Sequence, residues 1–330
     1  MVRGNSNART IQPLPPYRLA GLSETLKQWV VSPSRPSIWM LHDDEERAVQ
    51  MSETFRQVMR PMFRKIFWIG FEENSSHGSL LLDTEVNTWG SFVASDGRRG
   101  DKTVDVIEGM KCDIRSLRDI VDLVVASEPP PAHPHQPANH INIVKNFLKM
   151  CNAALKEEGF EKLRMYVYFI TKNVIIYDMT EELVFLDKMW HVYKANQTDF
   201  KSDIKLKKLN GYITLENVEK DSPFYPLLFD AIGDFQPYYT FGHSALHFYF
   251  NCKRHVQESS NYWPMTASDI HQEMLRLIPC FVAELFDEIA RVYGFSNRVN
   301  PLDRNIITIF EAHPYILWPT TLIHLRELAY

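Results

Sequence analysis

The sequence predicts an α/β fold: a mixed sheet flanked by helices, with an additional helical segment at the C-terminal end. Three observations carry that expectation. Lys65–Phe71 and Leu163–Ile170 are apolar runs rich in aromatic and β-branched residues, which suit strands. Asp113–Ala126, Ile141–Glu158 and Thr180–Lys194 place apolar residues at helical spacing. Asp96-Gly97-Arg98-Arg99-Gly100 supplies two glycines where a chain reversal needs left-handed backbone.

Taken in order, residues 1–16 are polar and carry Pro13, Pro15 and Pro16, a flexible lead. Ser37–Leu41 reads as a short strand and Asp43–Arg64 as a helix with Val49, Met51, Phe55, Val58, Met59 and Met62 on its apolar positions. After the strand Lys65–Phe71, a polar turn at Glu72–Gly78 leads into Ser79–Val86. Trp89–Ser95 and Thr103–Glu108 flank the glycine turn as a hairpin. The helix Asp113–Ala126 shows Ile114, Leu117, Ile120, Val121, Val124 and Val125 on one face. Glu128–Pro137 holds five prolines in ten residues, a connector, because proline lacks the amide donor and fixes φ.

Gly159 is expected to close the helix Ile141–Glu158. Leu163–Ile170 and Val174–Tyr177 follow as extended segments, then the helix Thr180–Lys194, a strand at Gly211–Val218 and a short helix at Phe224–Ile232. Ser268 is the expected N-cap of a helix reaching Arg291, kinked at Pro279 with Gly294 beyond its end. Asn305–Phe310 is the last expected strand, and a closing helix starts at Thr320.

Of 330 residues, 45% are hydrophobic and 12% aromatic, enough for a large core. The 36 Lys and Arg against 41 Asp and Glu leave a formal charge of −5, so no global basic field drives nucleic-acid binding and any such contact is local. Four scattered cysteines, Cys112, Cys151, Cys252 and Cys280, supply neither a CxxC clip nor a disulfide framework, and read as reduced thiols. No apolar run reaches membrane-span length and no signal-peptide core opens the chain, so the expectation is a cytoplasmic protein, with the nucleus as second compartment and no membrane partner. No Walker loop, GxGxxG, GxSxG or HExxH is present, which removes the usual support for P-loop, Rossmann, hydrolase and zincin chemistry.

Three segments could carry chemistry. In Leu80-Leu81-Leu82-Asp83-Thr84-Glu85, Asp83 and Glu85 would project from one face of a strand, two carboxylates suited to Mg²⁺ and phosphoryl transfer. Solvated acids beside a turn are the equally weighted alternative. Asp178, Glu181 and Glu182 stand where an apolar run enters a helix, a second carboxylate position for a nuclease. Ordinary stabilisation of the positive helix end explains them more simply. His243-Ser244-Ala245-Leu246-His247-Phe248 puts a histidine on a helix and resembles the His-x-Ala-Leu outline of the last motif in four-carboxylate exonucleases, a resemblance that implies a metal-binding carboxylate where Phe248 stands. A Zn²⁺ pair of His243 and His247 is the sharper alternative to a partly buried polar face. His133, His135 and His140 in the connector and the lysine-rich 201–208 read first as solvated surface.

The element order resembles a ribonuclease H-like layout, and the stretch 63–256 resembles the Maelstrom domain, a ribonuclease H-like module related to DEDDh-type exonucleases and found in small-RNA silencing factors. The matching features are the strands Lys65–Phe71 and Met165–Ile170, the strand bearing Glu85 with its hairpin, the proline-bearing Ser127–Pro131, the helix Ile141–Met150 and the helix His243–Cys252. On that resemblance, 17–62 is a strand-helix extension and 257–330 a helical extension packed on the same domain. The family's metal set would fall on Glu85, His243 and Cys252, but Thr240 stands where a cysteine is expected and Cys252 lies one residue off the usual step. The resemblance implies a non-catalytic RNA-interference factor of the nematode type, amplifying secondary small interfering RNAs on a target messenger, with silencing-complex proteins and target RNA as partners. Two alternatives stay open. One is an active metal-dependent 3′–5′ exoribonuclease using Asp83, Glu85, Glu182 and His243; the other is a protein-interaction module unrelated to nucleic acid.

Overall fold

The computed structural model describes residues 24–33, 35–42, 47–67, 70, 85–86, 92–93, 106–128, 140–195, 213, 218–220, 222–228, 244–255, 265–278 and 280–294. Over these residues the chain is predominantly helical. Its order is β1 (Glu24–Thr25), α1 (Leu26–Val31), β2 (Trp39–His42), β3 (Arg47–Met51), α2 (Glu53–Ile66), β4 (Glu85–Val86), β5 (Phe92–Val93), α3 (Val106–Ala126), α4 (His140–Ala154) and α5 (Phe160–Thr171). A 3₁₀ turn (Val174–Ile176), α6 (Met179–Ala195), a second 3₁₀ turn (Tyr225–Leu228), α7 (Ser244–His255), α8 (Ala267–Leu277) and α9 (Phe281–Ile289) follow, ending in a π-helical turn (Ala290–Gly294).

The expected ribonuclease H-like mixed sheet is therefore corrected. Pairing among the described residues is antiparallel and short: β1, β4 and β5 form one three-stranded piece, and β2 and β3 form another pair with a register shift between Met40 and Leu41. The segments expected to be its central strands are helical. Lys65 and Ile66 continue toward the end of α2, with Phe67 in right-handed helical geometry as its C-cap, and Leu163–Ile170 is the body of α5. The physical reason is visible in α5, where Leu163, Met165, Tyr166, Val167, Tyr168, Phe169 and Ile170 are all buried. A helix enclosed on every side loses the polar stripe that betrays a helical period, so its sequence reads like a buried strand. Of the expected extended segment Val174–Tyr177, Val174–Ile176 forms the 3₁₀ turn and Tyr177 closes it in extended geometry, with the Asn173 side chain accepting the Ile175 amide hydrogen at 3.0 Å.

Other boundaries move for local reasons. Within Asp43–Arg64, β3 occupies 47–51, and α2 starts only where the Ser52 side chain caps the Phe55 amide at 3.2 Å. β5 pairs back onto β4, and Val106–Glu108, expected in a hairpin arm, open α3. Gly159 is the N-cap of α5, since α4 already ends at Ala154. The helix expected from Ser268 to Arg291 is two helices parted at 278–280. Thr266 and Asp269 form a reciprocal capping box at the start of the first. Of the expected strand at 211–218 only Ile213 and Val218 are described, and Asn305–Phe310 and the helix from Thr320 lie outside the described residues.

The middle of the molecule is built around α5, which packs on α2, α3, α4 and the π-helical turn, while α8 joins α6 and α7. One cluster of buried side chains runs continuously from Leu26 to Val292. Close approach at the end of α2 needs Gly70: a Cβ there would sit 2.9 Å from Val167 Cγ1 of α5. Glu128 ties the end of α3 to β2, its backbone carbonyl accepting from Trp39 Nε1 at 2.8 Å and its carboxylate accepting from the Ile38 amide at 3.1 Å and from Arg35 at 3.0 Å. Among the described residues, no helix is long and apolar enough to cross a membrane.

Candidate functional site

Of the residues proposed from sequence, Glu85, Glu182 and Cys252 fall among the described residues. Asp83 and His243 lie outside the described residues, as does 201–208. The backbone of Glu85 sits in the middle strand of the small antiparallel piece, opposite Thr25 on one side and Val93 on the other. Cys252 lies on α7, fully buried, and burial pushes its thiol well above the ordinary cysteine range, so it is not a ready nucleophile. Among the described residues no three His, Cys, Asp or Glu side chains converge as a metal site.

Glu182 has a definite partner that the sequence did not disclose. In the first turn of α6, its Oε2 lies 2.7 Å from Nε2 of His271 on α8, with Glu182 3% exposed and His271 fully enclosed. Tyr249 of α7 stands edge-on to the imidazole at 6.1 Å between centroids. Burial, followed by Asp187, Glu182 and Cys252, pushes the Tyr249 phenol up, so three helices contribute polar groups to this one interior region. His271 Nδ1 has no hydrogen-bond partner. A carboxylate orienting an imidazole is the arrangement of a base and its positioning group, but a reacting substrate must reach the free nitrogen. The enclosure of His271 denies that access. The pair instead clamps α6 to α8.

A second arrangement lies one residue earlier in the chain. Asp178 and Glu181 satisfy each other at the start of α6: the Glu181 amide donates to Asp178 Oδ1 at 2.9 Å, and the Asp178 amide donates to Glu181 Oε2 at 2.7 Å. Glu181 also forms an ion pair with Arg60 of α2, whose Nε and Nη2 donate to the Ile176 carbonyl at 3.1 and 3.0 Å. Arg56, one turn earlier, donates to the carbonyls of Met51 and Tyr177. Arg56, Arg60 and Arg64 recur every four residues and so share one side of α2. Arg64, Lys172 at the end of α5, Thr171, Ile176, Phe63 and Phe67 complete the lining of a notch with Arg60 and Glu181. The Lys172 ammonium sits 4.0 Å from the Phe67 ring centroid, a cation–π contact.

Three cations and one carboxylate thus line a cavity of about 20 Å³, room for one or two waters or a single oxygen-sized group. Burial raises the Glu181 carboxyl to about 7 even though Arg60 and the Asp178 amide pull it the other way. Burial, with Arg60 adding to it, lowers Arg64. Nothing in the sequence pairs α2 with Lys172, more than a hundred residues on. The four-residue spacing of the three arginines was the available local signal. His271 offered none beyond a single histidine in a helical stretch.

The chain matches no protein-family model, and no curated protein or solved structure shows a match to it.

Proposed function

We propose that the protein works by binding and not by catalysis, as an assembly factor in small-RNA silencing that meets target RNA and silencing-complex proteins. The observation that carries the non-catalytic part is the closure of Glu182 on His271: a carboxylate offered as a nuclease ligand is spent inside the core. The silencing setting comes from the resemblance to the Maelstrom domain, and an RNA partner is supported by the cationic lining of the notch in a chain whose overall charge is −5. RNA contact through so few cations is local and weak unless other elements add to it.

Labelled single-stranded RNA, incubated with the full chain and Mg²⁺, tests both parts. RNA is expected to stay full length and to crosslink to the protein at low salt, less so as salt rises. Mg²⁺-dependent shortening that Asp83→Asn abolishes would overturn the non-catalytic reading. Absence of any crosslink at low salt removes RNA from the partners.

A further inference from the structure

We propose that Ser37 is a phosphorylation site, taking the γ-phosphoryl group of ATP from a serine kinase, and that the added charge unlatches the segment 35–39 from the end of α3. The site lies apart from the notch and does not depend on an RNA partner.

The latch gathers on one carboxylate. Ser37 Oγ donates to Glu128 Oε1, while Arg35 Nη2 and the Ile38 amide donate to Oε2 at 3.0 and 3.1 Å. Trp39 Nε1 reaches the Glu128 carbonyl at 2.8 Å, and Arg35 Nη1 reaches Ser127 Oγ at 3.1 Å. The same segment meets the start of α2. The Ser37 carbonyl accepts at 2.6 Å from Ser52 Oγ, the hydroxyl that caps α2, and the Ile38 carbonyl accepts from the Ser52 amide at 2.8 Å. One hydroxyl therefore stands where β2, α2 and α3 come together.

Three observations single Ser37 out. It is exposed and lies outside any helix or strand, so a kinase can draw it into its cleft, whereas Ser116 and Ser222 are buried. Arg35 stands two residues before it, a cation within reach of a phosphate placed there. Glu128 lies just past Ala126, at the negative end of the 21-residue helix α3, where a carboxylate is disfavoured and depends on its donors.

In the transfer, Ser37 Oγ attacks the γ-phosphorus, the bond to the bridging oxygen breaks, ADP leaves, and the hydroxyl proton passes to the base of the kinase. The product has lost the O–H that Glu128 accepts and sets a charge of about −1.5 to −2 against that carboxylate. Arg35 then pairs with the dianion in preference to the monoanion. With Glu128 repelled and Arg35 withdrawn from it, the Ile38 amide and the Trp39 indole lose these acceptors, and the segment leaves α3.

The full chain carrying phosphoserine at position 37 is prepared by site-directed incorporation. It is compared with the unmodified chain, with Ser37→Ala, and with the same phosphoserine combined with Glu128→Gln, thermal unfolding showing that each folds. Hydrogen exchange at the Ile38 amide is expected to quicken about tenfold or more on phosphorylation and less than about threefold in Ser37→Ala. With Glu128→Gln the phosphorylated chain is expected to return to within about threefold of the unmodified one, because an amide ends the repulsion and donates to the phosphate. Unchanged exchange on phosphorylation, an equal rise in Ser37→Ala, or no return with Glu128→Gln overturns the unlatching. The native full chain is also incubated with ATP and a serine kinase that selects arginine before its target, and the product is mapped by mass spectrometry. Phosphate on Ser37 supports the site; none there overturns it.

Discussion

One residue apart on α6, Glu181 lines a cationic notch open to solvent while Glu182 closes on His271 in the core. A helix turns about 100° per residue, so successive side chains leave the axis toward different neighbours. The same chemistry is thereby put to two uses. At Glu181 the carboxylate organises a helix start and the arginine beside it, and burial keeps its proton within reach of neutral pH. At Glu182 it crosses the interior to a second helix and fixes how α6 and α8 sit together. Proximity in sequence says little about shared function on a helix; proximity at three or four residues says more.

The largest expected effect breaks the buried partner. Glu182→Ala leaves an enclosed imidazole without the hydrogen-bonded partner it has among the described residues and should lower stability by about 3–5 kcal/mol in urea unfolding. Replacing both members, Glu182→Leu with His271→Leu, should recover most of that loss, because two apolar groups leave no buried polar atom unsatisfied. A cost below about 1 kcal/mol for the single change would mean that the clamp is not what separates the two glutamates.

Next in size is a dependence on pH that belongs to Glu181 alone. Its folded value of about 7 lies above the ordinary 4.5, so the native state holds this proton more tightly than the unfolded chain. The resulting stability is fully present below pH 4.5 and is lost as the pH rises toward 7. Glu181→Gln has no such proton to lose. Measured across that window, its stability relative to the native chain should therefore climb with pH, by on the order of 2 kcal/mol. A difference that stayed flat, or fell, would show that the Arg60 ion pair outweighs burial at this carboxyl.

How far the sequence could be read follows the same division between open and enclosed faces. α3 was legible because polar, exposed positions such as Arg115, Asp119 and Asp122 stand between its buried apolar ones. α5 was not, since enclosure on all sides erases the period, and the strand reading of Leu163–Ile170 drew the whole α/β expectation with it. The turn chemistry of Asp178 and Glu181 was visible in their three-residue spacing, and the structure shows them capping α6. The partners that give both glutamates their roles, Arg60 at 121 residues' separation and His271 at 89, were invisible because nothing local specifies a tertiary neighbour.

The smallest effects sharpen the comparison inside the notch itself. Arg60 is tied inward, to the Ile176 carbonyl and Glu181, so Arg60→Ala strands an acceptor and should cost about 1–2 kcal/mol. Arg64 one turn on is disfavoured as a cation by burial and by Arg60, so losing its charge removes a repulsion along with whatever it contributes. Arg64→Gln should accordingly change stability by no more than about 0.5 kcal/mol, measured by urea unfolding in phosphate-free buffer. If instead Arg64→Gln is as costly as Arg60→Ala, both arginines serve the frame, and the notch differs from the Glu182 clamp only in how far it opens to water.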